Sequence, residues 1–263
     1  EAAAAVTQDA PQPAADQALS SPRFSWTPTL GSSLNLSQIY HDNWVTEGEN
    51  AFNWEALVDG TLLGKRGAHE WNSELHLGYG QSEIGDREAR KSLDKLQAES
   101  RYAYRISEML SGYTGGHIQS QWTKSYSYND KNGTKRAVSD YWDPGYLTLG
   151  IGVGFDPHSR IQNRVGFAYK NTWASKYFGW ADDPETERVE TWRGEPGLEY
   201  VLSLLWARGD MMELKSKFTL FANFEGADEV DLRWENSAKA NLNKYIALAV
   251  GIELLYEDRK SVV

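Results

Sequence analysis

Cysteine is absent from the 263 residues, so neither a disulfide framework nor a thiolate metal site can form. A long hydrophobic run is missing too. No 18 consecutive apolar residues occur, which excludes a transmembrane helix. Helical periodicity is equally scarce. The nearest approach is the polar segment "GDREARKSLDKLQ" (85–97), read as a loop extending a strand. Positive charge is in the minority, with 27 Lys and Arg against 37 Asp and Glu, a net −10. That balance argues against a nucleic-acid partner, because binding phosphates needs concentrated cations. No charged n-region or apolar h-region of a signal peptide opens the chain. Residues 1–23 are instead Ala-, Pro- and Gln-rich, the composition of a disordered tail, and their Ala-rich acidic start is that of an exported mature chain.

What the chain has in plenty is aromatic side chains: 11 Trp, 14 Tyr and 8 Phe, 13% of the residues. It also has strict alternation. In "YLTLGIGVGFD" (146–156) the odd positions Leu147, Leu149, Ile151, Val153 and Phe155 are large and apolar, and the even ones are Thr148, Gly150, Gly152 and Gly154. A period of two is a strand with one greasy face. The pattern predicts eleven strands: 30–40, 52–64, 70–81, 95–106, 110–128, 146–155, 161–173, 198–207, 212–224, 229–242 and 245–256. The glycines are no dinucleotide fingerprint, since no helix follows; they read as small residues that make room for bulky neighbours or let the strand coil.

Three features favour a lipid-facing barrel over a soluble sandwich. The strands reach ten or more residues, enough for a tilted crossing of about 9–11. Aromatics such as Trp54, Trp71, Tyr104, Trp173, Trp206 and Tyr256 fall near strand ends on the apolar face, as interfacial girdles do. Connections alternate between short turns ("LGKRGAHE", "ISEML", "DPHSR", "ARGDM", "LNK") and mostly longer loops, "EGAD" being the short exception. The expected fold is all-β, an antiparallel up-and-down transmembrane β-barrel of about twelve strands over 24–263. Eleven are visible, and the expected twelfth would open at 261–263 and continue past the sequence.

The stretches "NWVTEGEN" (43–50), "LGYG" (77–80), "RKSLDKLQAESRYAYRI" (90–106), "SDYWDPGYLTLGIG" (139–152) and "LNKYIALAVGIELLYED" (242–258) carry a resemblance. In order and spacing they resemble a Bacteroidota/Chlorobiota family of outer-membrane β-barrels known only as a domain of unknown function. The likeness runs from about Trp26 to the end of the sequence. It implies a barrel in the bacterial outer membrane and supplies no activity or catalytic residue; the family's further last strand is what this chain departs from.

Candidate chemistry is sparse. His41, His69 and His158 fall in or beside loops and turns and read as solvated polar residues. His76 and His117 share the polar face, and Ser120, near His117, falls on the opposite one, so no nucleophile and base are matched. The acidic loop "ADDPETERVE" (181–190) lacks the ligand spacing of an EF-hand and reads as solvated. "NDKNG" (129–133) reads as a tight turn. The expectation is therefore no catalysis, no cofactor and no bound metal. The conspicuous set is charged: Glu55, Glu74, His76, Glu99, Arg101, Arg105, Arg164, Lys170, Lys215, Lys217 and Arg233, with Asp59, Asp231 and Glu253, on the polar face of the strands and hence lining the lumen. Both signs occur, so they suit a small channel for solute passage or a cross-braced, closed barrel serving as scaffold or accessory subunit of an envelope complex. Expected partners are outer-membrane lipid and other envelope proteins, the latter through long extracellular loops.

Overall fold

The computed structural model describes residues 23–40, 49–129, 133–182, 186–209, 211–225, 230–241 and 247–257. Their regular structure is thirteen strands and one 3-10 turn, Phe178–Trp180. The strands are β1 (Ser25–Ile39), β2 (Ala51–Arg66), β3 (His69–Ile84), β4 (Arg90–Arg105), β5 (Leu110–Ser120), β6 (Ser125–Asn129) and β7 (Thr134–Ser139). They continue with β8 (Gly145–His158), β9 (Ile161–Trp173), β10 (Trp192–Arg208), β11 (Met212–Asn223), β12 (Val230–Asn241) and β13 (Ala247–Glu257). Eleven form one antiparallel sheet in the order β1-β2-β3-β4-β5-β8-β9-β10-β11-β12-β13, and β6 pairs with β7 as a separate hairpin. No ladder joins β1 to β13 among the described residues.

Four expectations are corrected. The stretch 110–128 is not one strand. β5 stops at Ser120 and the chain leaves the sheet, because the Asp94 carboxylate accepts the Trp122 N–H (2.7 Å), the Thr123 N–H (3.0 Å) and the Thr123 hydroxyl (2.8 Å). The loop read over 129–145 holds strand β7; of the turn read at 129–133, Asn129 ends β6, Gly133 has φ +66°, and 130–132 lie outside the described residues. The strand read from 95 begins at Arg90, inside the polar segment "GDREARKSLDKLQ", with Leu93 half-buried beside Gly78. β10 begins six residues before Leu198, running through Pro196. That proline lies beyond the end of the β11 ladder, where its missing N–H breaks no β10–β11 hydrogen bond, while its carbonyl accepts the Phe224 N–H at 2.9 Å. His41, the 242–244 turn and residues 258–263 lie outside the described residues.

The eleven-stranded sheet is strongly curled. β4 and β11 stand five strands apart, about 24 Å across a flat sheet. Yet Lys217 Nζ on β11 lies 3.3 Å from Glu99 Oε2 on β4. Likewise Arg164 on β9 reaches Glu99 at 3.6 Å, and Lys170 on β9 is ion-paired to Asp231 on β12, each three strands away. The polar face is therefore concave and its two halves meet across the interior.

The convex face inverts the usual order of a folded chain. Leu30 is 78% exposed, Ile151 63% and Phe167 65%, and Leu34, Val153, Leu248, Ile252 and Leu254 are exposed beside them. The buried side chains lie mainly on the concave face, among them Gln97, Ala103, Tyr113, Ala168, Val201, Phe221 and Asn223. An apolar face continuous over so many strands far exceeds the patches that water-facing proteins leave bare. Main-sheet strands of 11 to 17 residues are long enough to cross a bilayer.

The strand ends differ. At one end tight turns join the strands. Between β2 and β3 only Gly67 and Ala68 intervene, and Gly67 supplies the φ of +57° that a two-residue hairpin needs. At the other end the loops are long and tied together. The buried Asp143 carboxylate accepts the Ser175 N–H (3.1 Å), the Ser175 hydroxyl (3.0 Å) and the Lys176 N–H (2.7 Å), joining the β7–β8 and β9–β10 loops. Trp180 Nε1 donates to the Val138 carbonyl at 3.2 Å, and Ala174 and Ala181 are wholly buried beneath. Asp143→Ala orphans those loop donors at about 1–3 kcal/mol each. The expected result is faster trypsin cleavage after Lys176 with the sheet itself intact, read by peptide mapping; an unchanged cleavage rate would assign the loop's order to other contacts.

Candidate functional site

The candidate site is the charged layer on the concave face, and β-ladder register builds it. Glu74 on β3, Glu99 on β4, His117 on β5, Thr148 on β8 and Lys170 on β9 follow one another across the sheet as direct partners. Two carboxylates directly opposite repel unless cations draw them apart. Glu74 turns to His76 Nε2 at 3.7 Å and accepts from Asn72 Nδ2 at 2.9 Å, and His76 Nδ1 meets Asp59 Oδ1 at 2.6 Å. Glu99 turns the other way, to Arg164 and Lys217.

Aromatic rings underlie the cations around the Glu99 bridge. The Arg164 guanidinium stacks 5.6 Å above the Tyr113 ring, and Lys170 Nζ lies 5.6 Å above Phe221. Arg101 lies among the charges of Arg164, Glu99 and Asp156. Arg233 joins Glu253 at 2.6 Å and Glu235 at 3.4 Å, on the last two strands of the sheet. Glu55 lies against Gly80, where a Cβ would come within 2.7 Å of its Cγ. Two candidates lie apart from this layer. Arg105 pairs with Glu70 near the short turns, and Lys215 pairs with Glu213 at 2.8 Å near the β10–β11 turn.

Glu199, Tyr113 and Phe221 belong to this layer and escaped the sequence reading. All three share the parity of their strands' polar positions, so alternation places them; the two aromatics were hidden because bulky rings suggest the apolar face. His117 is in the layer and Ser120 is not, its hydroxyl donating to the Pro144 carbonyl at 3.0 Å. His69, expected to be solvated, is half-buried and hydrogen-bonded to the Tyr102 hydroxyl at 2.5 Å. Of the acidic loop 181–190, residues 183–185 are outside the described set, and Asp182 accepts the Glu190 N–H at 2.8 Å. Among the described residues no three His, Asp or Glu side chains gather in a metal-binding arrangement.

Comparison with known families adds a region and no chemistry. Residues 36–126 match a family described as "Protein of unknown function (DUF3078)". The match spans the end of β1 through β5 into β6, and so takes in Glu74, His76, Glu99, Arg101 and His117 but none of their partners on β9 to β12. No curated protein and no solved structure matches the chain.

At the long-loop end the charges sit outside the sheet. The Tyr141 N–H bonds Asp140 Oδ1 at 2.9 Å, with Lys176 at 3.5 Å and Lys124 at 3.7 Å. First the backbone hydrogen bond and then these lysines hold the Asp140 carboxyl below its ordinary value. A lowered carboxylate strengthens a structure above its unfolded titration range and loses that contribution as pH falls through the folded value. The Asp140 contacts therefore loosen on acidification.

Proposed function

We propose that this chain is a β-barrel of a bacterial outer membrane, closed at mid-lumen, that serves as a scaffold or accessory subunit of an envelope assembly. The membrane reading is supported by the inverted exposure: apolar side chains dominate the convex face of the long strands, and most of the strand charges face inward. The short turns then face the periplasm and the long loops the outside. The closed reading is supported by one observation above the rest, the Glu99 carboxylate bridged to Arg164 and Lys217 across the bore. Ions passing this level would have to break those pairs. The tied loops, with Tyr141, Phe178, Trp180 and Val189 exposed, give such a barrel a firm surface for another envelope protein.

A small solute channel is the second reading, favoured by the wetness of the bridge. The Glu99, Arg164 and Lys217 side chains remain 26%, 15% and 37% exposed. Single-channel recording of the folded protein in a planar bilayer separates the two. A silent bilayer with the wild type is the expected result. Discrete, salt-dependent steps would overturn the closed reading, and Arg164→Gln would then change their ion selectivity.

A further inference from the structure

At the short-turn end, the convex face of β1 to β4 carries a cavity of about 450 Å³ lined by Phe24, Trp26, Arg66, His69, Trp71 and Tyr102. The register makes it a built box. Trp26, Gly64, Trp71 and Tyr102 are successive ladder partners on β1 to β4, and Arg66 pairs with His69 one row nearer the turn. Gly64 is its floor: a Cβ there would come within 2.5 Å of the Trp26 ring. The walls are mutually braced. Phe24 stacks on Trp26 at 5.4 Å, Trp71 packs on Tyr102 at 5.9 Å, and Trp71 Nε1 donates to Ser73 and Ser100 at 3.1 and 3.0 Å. The His69–Tyr102 hydrogen bond uses Nδ1 and leaves Nε2 without a partner among the described residues.

The charge inside this box is unmatched. No carboxylate lines it, and Arg66 has no ion-pair partner among the described residues. The nearby Glu70 is taken on the concave face by Arg105 and Lys65. We propose that this box binds a phospholipid by its anionic headgroup, the phosphate on Arg66 and His69, with the acyl chains lying along the exposed Leu62, Leu75 and Leu30. A lipid fits better than a free phosphate because the box opens sideways onto that apolar band rather than into the interior. A guanidinium presents paired donors to phosphate oxygens, and a rim of Trp and Tyr is at home at headgroup depth.

The proposal rests on the membrane reading, and the test separates the two. The full chain is purified in detergent and its folded state established by heat-modifiable gel migration; a chain that is soluble without detergent would defeat the membrane reading before any lipid is added. Native mass spectrometry then follows binding of added phosphatidylglycerol. The expected result is one tightly held lipid on the wild type and a loss of about tenfold or more in its affinity for Arg66→Gln. Arg66→Lys should recover part of that loss, and Arg160→Gln at the β8–β9 turn should leave affinity unchanged. Equal binding by folded wild type and folded Arg66→Gln would overturn the proposal. So would displacement of the lipid by soluble glycerol 3-phosphate, which would make the box a site for free phosphate esters.

Discussion

Ile151→Arg is expected to block assembly of the folded protein in a membrane. Ile151 sits in the middle of β8 on the convex face, 63% exposed, with Leu149 and Val153 exposed on either side. In water an arginine at such a site would be harmless, since an exposed charge is better hydrated than an exposed isoleucine. At the midplane of a bilayer it costs about 2–4 kcal/mol, a large share of what holds a domain together. The two environments thus predict opposite results from one substitution. The measurement is the fraction migrating as the compact, heat-modifiable form after refolding into vesicles, with Ile151→Leu as the reference. Wild-type yields from the arginine variant would overturn the assignment of the convex face to lipid.

The second large effect is expected at Gly152. It lies on the concave face of β8, opposite Gly166 of β9 and next to Tyr113 of β5. A Cβ at Gly152 would lie 2.2 Å from the Val165 carbonyl oxygen and 2.5 Å from the Gly166 Cα; one at Gly166 would lie 2.4 Å from the Ile151 carbonyl oxygen and 2.7 Å from the Tyr113 hydroxyl. The obstacles are mostly backbone, so no rotamer change relieves them. Gly152→Val must push β8 from β9, beside the buried Tyr113 on which Arg164 rests. Overpacking of this kind costs about 1–3 kcal/mol, with more expected where backbone must move. Gly150, two residues earlier on the same face, would place its Cβ no nearer than 3.7 Å to anything, so Gly150→Ala should be close to neutral. Urea titration of the folded fraction reads both. Equal midpoints for the two variants would show that the β8–β9 contact is not the constraint.

That pair of glycines shows where reading the chain stops. Alternation marks Gly150, Gly152 and Gly154 alike as small residues on the polar face. Only the approach of β9 distinguishes the one that touches backbone from the one that faces space. The strand boundaries behave similarly. Period two placed the strands of the large sheet to within a few residues over most of its width, because the side-chain direction of a strand is a local property. It failed over 110–128, because what ends β5 is Asp94, a carboxylate that comes from the neighbouring strand and seizes the Trp122 and Thr123 amides. It also missed the first six residues of β10, since "WRGEPG" has the composition of a loop and becomes strand only by lying along β9.

The charged layer divides in the same way. That Glu74, His76, Glu99, Arg164, Lys170, Lys217 and Arg233 share a face follows from their parity and needs no structure. That Glu99 meets Lys217, 118 residues on, does not, because every lysine and arginine on that face was an equally good partner on paper. The amino-acid sequence by itself determined an all-β chain, two chemically opposite faces and the absence of thiol chemistry, all of which depend on residue type and nearest neighbours. The tertiary structure alone decided which charges pair, which glycines are crowded, and that Arg66 stands among aromatics with no ion-pair partner among the described residues. Those depend on how far the sheet curls and how its strands are staggered, and curl is a sum of small twists over eleven strands that no single segment encodes.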